Sequence, residues 1–263
     1  MTPIIPADRF EIFANNLDHP ECVAFDEDGN AWAGGEAGQI YRIDPKGNVE
    51  QVANLGSFNA GLAFGPNRDL FVCNPALGVV RVDTRTGKHE LFASHACGEK
   101  LICANYPLFD MGGYLYVTDS GHWMKRNGRV VCFSPDGREA TLIKPFGYAN
   151  GLAMDETWER LYVVESDTNT VFYLDLNPIG VPTVFATEVG RMPDGLAIDA
   201  AANVYVACYA SDEIWRITRR GEKELLAHDP WAIKLSRPTN IAFWDDMIYV
   251  SNLGRYTITR AKL

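Results

Sequence analysis

Four side chains with oxygen donors occupy equivalent positions in a repeated sequence motif: Glu21, Asn105, Asn150 and Asp194. A single Asn or Asp at such a position could simply cap a strand or a turn, but four equivalent ones favour a shared site. Two carboxylates and two amide oxygens are hard ligands, which suit Ca²⁺, whereas a zinc site more often includes His or Cys. The residues therefore predict one bound divalent cation, with Ca²⁺ ahead of Zn²⁺, Mn²⁺ and Mg²⁺.

The motif that carries these residues begins six times along the chain, at Glu21, Ala60, Asn105, Asn150, Asp194 and Thr239, with intervals of 39 to 45 residues. Repeats of about 40–50 residues are typical of β-propellers. Each motif is followed by a turn rich in Asp and Gly, a strand such as Leu161-Tyr162-Val163, and two further strand-like segments. The sequence therefore predicts an all-β fold, a six-bladed β-propeller with four antiparallel strands per blade, as one domain over residues 1–263.

The two ends of the chain complete this pattern. Residues 9–14 form a strand-like segment that precedes the first repeat, whereas the last repeat ends after its third strand, at residues 256–260. Pairing these two segments would close the ring and leave few exposed edges, as propellers require. We therefore expect the N-terminal strand to complete the sixth blade.

The propeller topology predicts which residues meet. In a four-stranded meander, the start of the innermost strand and the loop between the second and third strands lie on the same face of the disc. The four oxygen-bearing residues should therefore converge at one mouth of the central channel. His122 lies in such a loop, where a neutral imidazole could transfer a proton or simply face water. Four other acids are expected to form turns on the opposite face: Asp26, Asp110, Asp155 and Asp199.

Composition excludes several classes of partner. A net charge of −10 and a pI near 5.0 argue against binding of nucleic acid, whose phosphates would be repelled. No apolar run approaches the roughly 18 residues of a membrane span, and the N-terminus does not resemble a signal peptide. Six cysteines without CxxC spacing suggest reduced thiols, so we expect a soluble cytoplasmic protein of undetermined oligomeric state. Serine-hydrolase and zincin motifs are also lacking.

The motifs resemble those of one enzyme family. Glu21 followed by Asp26, the segments Asn150-Gly151-Leu152-Ala153 and Pro193-Asp194-Gly195-Leu196, and the Leu-Tyr-Val strands are similar to the gluconolactonase, senescence marker protein (regucalcin) and luciferin-regenerating enzyme family. The resemblance covers nearly the whole chain. It implies a six-bladed propeller with one divalent cation held by Glu21, Asn150 and Asp194. It also implies that Asn105 lies beside the metal and holds substrate, and that Asp194 is the general base.

The chain departs from the sugar-lactonase members of this family at two places. The first motif reads Glu21-Cys22-Val23-Ala24-Phe25 instead of Glu-Gly-Pro-Val-Trp, and the substrate-gripping Arg is replaced by Cys103. A thiol cannot donate the forked hydrogen bonds of a guanidinium. Apolar and aromatic residues are expected near the same rim: Tyr106, Phe146, Tyr148 and Met192. The sequence therefore argues against a sugar lactone as substrate.

These observations predict a metal-dependent hydrolase of lactones or related esters that acts on a small molecule. The cation would polarise the carbonyl and activate water, Asp194 would accept the proton, and Asn105 and Asn150 would orient substrate and metal. One alternative is a binding module with a structural cation. Another, suggested by resemblance to paraoxonase-like and strictosidine-synthase-like propellers, is phosphotriester hydrolysis or other chemistry at the same mouth, since a fold does not determine a function.

Overall fold

Each of the first five sequence repeats forms an antiparallel sheet of four strands, and the sixth repeat supplies three strands of another, because runs of β-branched and aromatic residues alternate with tight Asp- and Gly-containing turns. The computed structural model describes residues 1–263 apart from the side chain of Lys144. Six such sheets follow one another along the chain, which confirms the predicted six-bladed β-propeller. No helix in the described part of the chain is long and apolar enough to cross a membrane.

The first half of the chain contains a short 3₁₀ helix at Ala7–Arg9, then β1 (Glu11–Ala14) and the first three blades. Blade one consists of β2 (Val23–Phe25), β3 (Ala31–Gly34), β4 (Gln39–Ile43) and β5 (Val49–Asn54). Blade two consists of β6 (Leu62–Phe64), β7 (Leu70–Asn74), β8 (Gly78–Val82) and β9 (His89–Ala93). A small hairpin that the sequence did not predict precedes blade three and consists of β10 (His95–Ala96) and β11 (Glu99–Lys100). Blade three consists of β12 (Ala104–Phe109), β13 (Leu115–Asp119), β14 (Gly128–Phe133) and β15 (Ala140–Phe146).

The second half of the chain forms blades four to six. Blade four consists of β16 (Ala149–Asp155), β17 (Arg160–Glu165), β18 (Thr170–Asp175) and β19 (Thr183–Ala186). Blade five consists of β20 (Pro193–Ile198), β21 (Val204–Cys208), β22 (Glu213–Ile217) and β23 (Lys223–His228). Blade six contains three strands from this end of the chain, β24 (Pro238–Trp244), β25 (Met247–Asn252) and β26 (Thr257–Lys262).

Strand β1 supplies the fourth strand of blade six and closes the ring, as predicted. It pairs antiparallel with β26, with Glu11 opposite Arg260, and Arg260 Nε donates a hydrogen bond of 2.7 Å to Glu11 Oε1. Phe13 packs edge-on against Tyr249 of β25, with ring centroids 5.0 Å apart. The N-terminal strand therefore contributes both hydrogen bonds and apolar contacts to the last blade.

This closure predicts unequal effects for two neighbouring residues of β1. Phe13 is 7% exposed, whereas Ile12, on the opposite face of the strand, is 50% exposed. Phe13→Ala is expected to lower the free energy of unfolding by about 3–4 kcal/mol, the usual cost of removing a buried Phe side chain. The matched control Ile12→Ala should change it by less than about 0.5 kcal/mol. Urea unfolding followed by circular dichroism would measure both, and equal effects would contradict the closure.

The hydrophobic core lies between neighbouring blades. Six clusters of buried residues each combine side chains from two adjacent blades, as between blades three and four, where Tyr116 and Phe146 pack with Leu152 and Leu161. On one face of the disc, four of the turn aspartates accept backbone hydrogen bonds. Asp199 Oδ1, for example, accepts from the backbone nitrogens of Ala201 and Asn203, both at 2.9 Å. The other three behave similarly: Asp26, Asp110 and Asp155.

Glycines in the repeated motif allow the innermost strands to approach one another closely. A Cβ atom on Gly151 would lie 2.6 Å from the backbone oxygen of Asp194, and one on Gly195 would lie 2.4 Å from that of Thr239. Such distances are too short for any side chain. The first residues of successive inner strands are therefore brought together around the centre of the ring.

Candidate functional site

One cavity on the face where the inner strands begin contains all four of the predicted oxygen-bearing residues. It has a volume of about 260 Å³ and is lined by Glu21, Asn105, Asn150 and Asp194. They come from blades one, three, four and five, each from the start of the innermost strand or the residues just before it. The repeat spacing thus brings residues from distant parts of the sequence to one place.

The two asparagines are held by serines that connect neighbouring blades. Asn105 Nδ2 donates to Ser120 Oγ at 3.1 Å, and Ser120 Oγ in turn donates to the backbone oxygen of Ala149 at 2.6 Å. Ala149 immediately precedes Asn150 in blade four. The hydrogen-bonded Nδ2 fixes the orientation of the Asn105 amide, whose oxygen remains available as a ligand.

The same arrangement recurs one blade further on. Asn150 Nδ2 donates to Ser166 Oγ at 3.2 Å, and Ser166 Oγ donates to the backbone oxygen of Pro193 at 2.6 Å. In blade six, Ser251 Oγ donates to the backbone oxygen of Glu21 at 3.0 Å. We name Ser120, Ser166 and Ser251 the bridging serines. Sequence reasoning missed their role, although the recurring acid–Ser pairs at the ends of β13 and β17 signalled it.

Glu21 and Asp194 are adjacent, partly buried acids of the cavity wall. Glu21 Oε2 has no hydrogen-bond partner among the described residues. Burial and the nearby Asp194 carboxylate raise the pKa of Glu21 well above its usual range. Burial likewise raises the pKa of Asp194 to about 8, although a hydrogen bond from the Asn150 side chain favours its ionised form. A nearby positive charge would favour the ionised forms of both acids.

These residues fit a divalent cation. A cation would neutralise both carboxylates and would satisfy the unpartnered oxygen of Glu21, and the amide oxygens of Asn105 and Asn150 add hard, neutral donors. Among the described lining residues, no histidine offers an imidazole, and only Cys103 and Met192 carry sulfur. This donor set suits a hard divalent ion, and its identity as Ca²⁺ stays a prediction.

The remaining wall of the cavity is apolar. It is formed by Phe58, Pro75, Trp123, Tyr148, Met192 and Tyr209, together with Ala60. Trp123 packs edge-on against Tyr148, with ring centroids 5.1 Å apart, and Cys103 Sγ lies 3.8 Å from the Tyr148 hydroxyl. Tyr148 and Met192 were expected at this rim. Phe58 was not foreseen, because it lies in an irregular loop without a repeat pattern.

Two aromatic residues that were expected at the rim lie elsewhere, and this corrects the sequence interpretation. Phe146 is fully buried in the core between blades three and four. Tyr106 packs against that core and against the one between blades one and two. Phe146 is the last residue of β15, and its side chain faces the interior of the sheet packing instead of the mouth.

Two aspartates, one of them fully buried, position the backbone segments that carry Cys103 and Tyr148. Asp119 Oδ1 accepts hydrogen bonds from the backbone nitrogens of Ile102 at 2.9 Å and Cys103 at 2.7 Å. Asp119 is fully buried and pairs with Arg129, whose Nε donates to Asp119 Oδ2 at 2.9 Å. The ion pair thus holds the Cys103 segment at the edge of the cavity. Tyr148 is held similarly, since its backbone nitrogen donates to Asp167.

His122 is placed outside the cavity lining. Its backbone nitrogen donates to Asn127 Oδ1 at 2.9 Å, its ring Nδ1 lies 3.1 Å from Asn127 Nδ2, and its side chain is exposed. The next residue, Trp123, lines the cavity instead. A role for His122 in proton transfer therefore stays a prediction.

A second group of ionisable side chains lies on blade one. His19 Nδ1 is 3.1 Å from Asp18 Oδ1 and 2.9 Å from Glu36 Oε2, so that these three residues could also hold a metal ion. His19 and Glu36 line a separate cavity that shares Phe58 with the first one. Unlike Glu21, these acids have hydrogen-bonding partners and partial access to solvent. They are therefore the weaker candidate for a tightly held cation.

Comparison with known proteins identifies similar sequences. Residues 19–252 match the family described as SMP-30/Gluconolactonase/LRE-like region. The chain is 28% identical over 207 residues to a gluconolactonase from Zymomonas mobilis, with coverage of 65% of this chain and 56% of the relative. It is 31% identical over 207 residues to lactonase drp35 from Staphylococcus epidermidis, with coverage of 70% and 61%.

A solved structure has the same fold. A gluconolactonase from Xanthomonas campestris superposes with a TM-score of 0.82, covering 97% of this chain and 89% of the other, at 18% sequence identity. At that identity the likeness concerns the fold alone. The matches to the curated relatives extend over only 40% to 61% of their length.

Proposed function

The chain belongs to the SMP-30/Gluconolactonase/LRE-like family, and from that premise we propose that it is a metal-dependent hydrolase of lactones or related esters. The observation that carries the proposal is the partly buried pair of Glu21 and Asp194, with a buried, unpartnered Glu21 oxygen in a cavity open to small molecules. Buried carboxylates with perturbed pKa values in a cleft are typical of functional sites.

In this proposal each polar residue of the cavity has a distinct task. A bound divalent cation would polarise the substrate carbonyl and lower the pKa of water. Glu21, Asn150 and Asp194 would hold that ion, with Asn105 beside it. Asp194, once ionised, would accept the proton of the attacking water, since a carboxylate within reach can act as general base. Asn105, which the bridging Ser120 holds in one orientation, would position the substrate.

The proposed reaction is hydrolysis, in which water adds to the carbonyl carbon and the bond from that carbon to the ring oxygen breaks. Asp194 takes one proton from water and can return it to the departing oxygen, so that the hydroxy acid forms and the carboxylate is restored. His122, which is exposed and lies outside the cavity lining, is a second candidate for proton transfer. A small molecule is the expected partner, and the cytoplasm remains the predicted location.

The proposal is tested by removing the metal and measuring turnover. Chelator-treated and reloaded protein would be assayed by proton release on a panel of lactones, aryl esters and phosphotriesters. We expect hydrolysis of at least one lactone, its loss after chelation, and its recovery when Ca²⁺ or another divalent ion is restored, with an unchanged far-ultraviolet circular dichroism spectrum. Turnover that is indifferent to chelation would contradict the proposal, whereas metal binding without any turnover would favour the binding module.

A further inference from the structure

The cavity has a polar floor, formed by Glu21, Asn105, Asn150 and Asp194, and an apolar wall that has no role in holding a cation. We infer that the site takes a compact, uncharged lactone whose body is aromatic or otherwise apolar, in preference to a polyhydroxylated one. This inference rests on the proposed lactone hydrolysis and adds the substrate class. The apolar wall comes from six different loops between strands, which include those of Trp123, Tyr148 and Tyr209.

Part of the apolar wall is exposed to solvent. Trp123 is 44% exposed and Met192 is 36% exposed, although both border the cavity. Large apolar side chains that gather at a concave surface usually mark a place where a ligand covers them. The edge-on packing of Trp123 against Tyr148 also leaves a rigid aromatic surface beside the reactive residues, suited to a flat apolar ring.

Few hydrogen-bonding groups of the cavity are free. The amide nitrogens of Asn105 and Asn150 each already donate one hydrogen bond to a bridging serine. The hydroxyl of Tyr209 accepts a hydrogen bond of 3.0 Å from Arg237 Nη1, and the Tyr148 hydroxyl lies beside Cys103 Sγ. A ring with several hydroxyl groups would therefore bury some of them without partners, at a cost of about tenfold in affinity for each.

The charge and size of the cavity also restrict the substrate. No Lys, Arg or His occurs among the described residues that line the cavity, whereas Glu21 and Asp194 are acidic and the protein carries a net charge of −10. Because a bound cation would neutralise these two carboxylates, no described lining residue offers a further positive charge that would bind an anionic substrate. The volume of about 260 Å³ lies below the roughly 300–1,000 Å³ of common ligand pockets, which favours one ring or two fused rings.

The inference is tested with six-membered lactones that share the reacting ester. A benzo-fused lactone, an unsubstituted lactone and glucono-δ-lactone would be compared with metal-loaded protein. We expect kcat/KM for the benzo-fused lactone to exceed that for glucono-δ-lactone by about 10²-fold, from two or more unpaired hydroxyls. Equal or faster hydrolysis of glucono-δ-lactone would overturn the inference while supporting the proposed hydrolase.

Two tryptophan variants locate the effect in the cavity. Trp123→Ala should raise KM for the benzo-fused lactone about tenfold and change kcat/KM for glucono-δ-lactone little, because only the aromatic contact is removed. Trp231→Ala is the matched control, since Trp231 is 79% exposed and does not line the cavity. The assigned contact surface would be overturned if Trp123→Ala lowered kcat/KM equally for both lactones. It would also be overturned if Trp123→Ala and Trp231→Ala lowered kcat/KM for the benzo-fused lactone equally.

A binding measurement separates this inference from the hydrolase proposal. Ring amides that correspond to the benzo-fused lactone and to glucono-δ-lactone are hydrolysed far less readily, so calorimetry on Ca²⁺-loaded protein can measure their affinities. Tighter binding of the benzo-fused amide supports the apolar substrate class even if no lactone is turned over, a result that would overturn the hydrolase alone. Tighter binding of the hydroxylated amide would overturn the substrate class whether or not lactones are hydrolysed.

Discussion

Asp194→Asn is expected to lower turnover of the best lactone by roughly 10²–10⁴-fold, the usual contribution of a general base. The substituted amide retains an oxygen that can bind the cation but cannot accept a proton at neutral pH. Part of the metal affinity should therefore survive. Steady-state kinetics on metal-loaded protein, with metal content measured on the same samples, would separate the loss of the base from the loss of the ion.

A second aspartate provides the control for this substitution. Asp199 lies five residues further along the same strand region, where it accepts turn hydrogen bonds on the opposite face of the disc. Asp199→Asn removes the same charge while keeping an oxygen for the turn, so turnover should remain close to that of the unmodified protein. If metal-loaded Asp194→Asn were equally active, the base would have to be another group, and His122→Ala would be the next variant to measure.

Glu21→Gln is expected to weaken binding of the cation so that the ion is lost on dialysis, and to lower hydrolysis towards the level of chelator-treated protein. The substitution preserves the shape of the side chain but removes one of the two carboxylates that line the cavity. Metal content would be measured by elemental analysis after dialysis, and turnover by proton release. Retention of one equivalent of metal would contradict the assignment of Glu21 as a ligand.

The same variant should stabilise the metal-free protein at higher pH. Both acids have raised pKa values in the folded state. An unfolded Asp or Glu ionises near pH 4, so the metal-free fold loses stability as the pH rises from about 4 towards the folded pKa of Asp194, about 8. Glu21→Gln removes the repulsion between the acids. Its melting temperature should therefore exceed that of the metal-free parent by more at pH 8 than at pH 5.

Glu36→Gln is the matched control for Glu21→Gln. Glu36 belongs to the second group of ionisable side chains, with Asp18 and His19, and is largely exposed. This substitution should leave both the metal content and the turnover unchanged. Loss of the metal from Glu36→Gln, but not from Glu21→Gln, would assign the cation to the blade-one group and remove the support for the proposed reaction centre.

The fold and the polar floor of the cavity could be predicted because both follow from a repeat. A regular interval fixes where each inner strand begins, and the meander places those beginnings on one face. Asn105 and Asp194 could thus be assigned to one mouth although they lie 89 positions apart in the sequence. Ring closure followed from counting strands, since an unpaired edge is unfavourable.

The apolar wall could be predicted only in part, because loops follow no period. Whether His122 or Trp123 faces the cavity depends on the local course of a loop, which hydrogen bonds between His122 and Asn127 determine. Phe146 was misplaced for a related reason. The side of the sheet that Phe146 faces depends on the register of β15 against β14. That register shifts between Gly128 and Val130 of β14.

The bridging serines give the two halves of the cavity different freedom to change. Each serine donates a hydrogen bond to the backbone at the start of the innermost strand of the next blade. A substitution at Ser120 would therefore disturb both Asn105 and Asn150. Single substitutions in the polar floor therefore affect more than one of its residues. Trp123 and Tyr209 occupy separate loops, and each can be exchanged alone. New substrates can therefore evolve by loop replacement while the reactive centre is inherited intact.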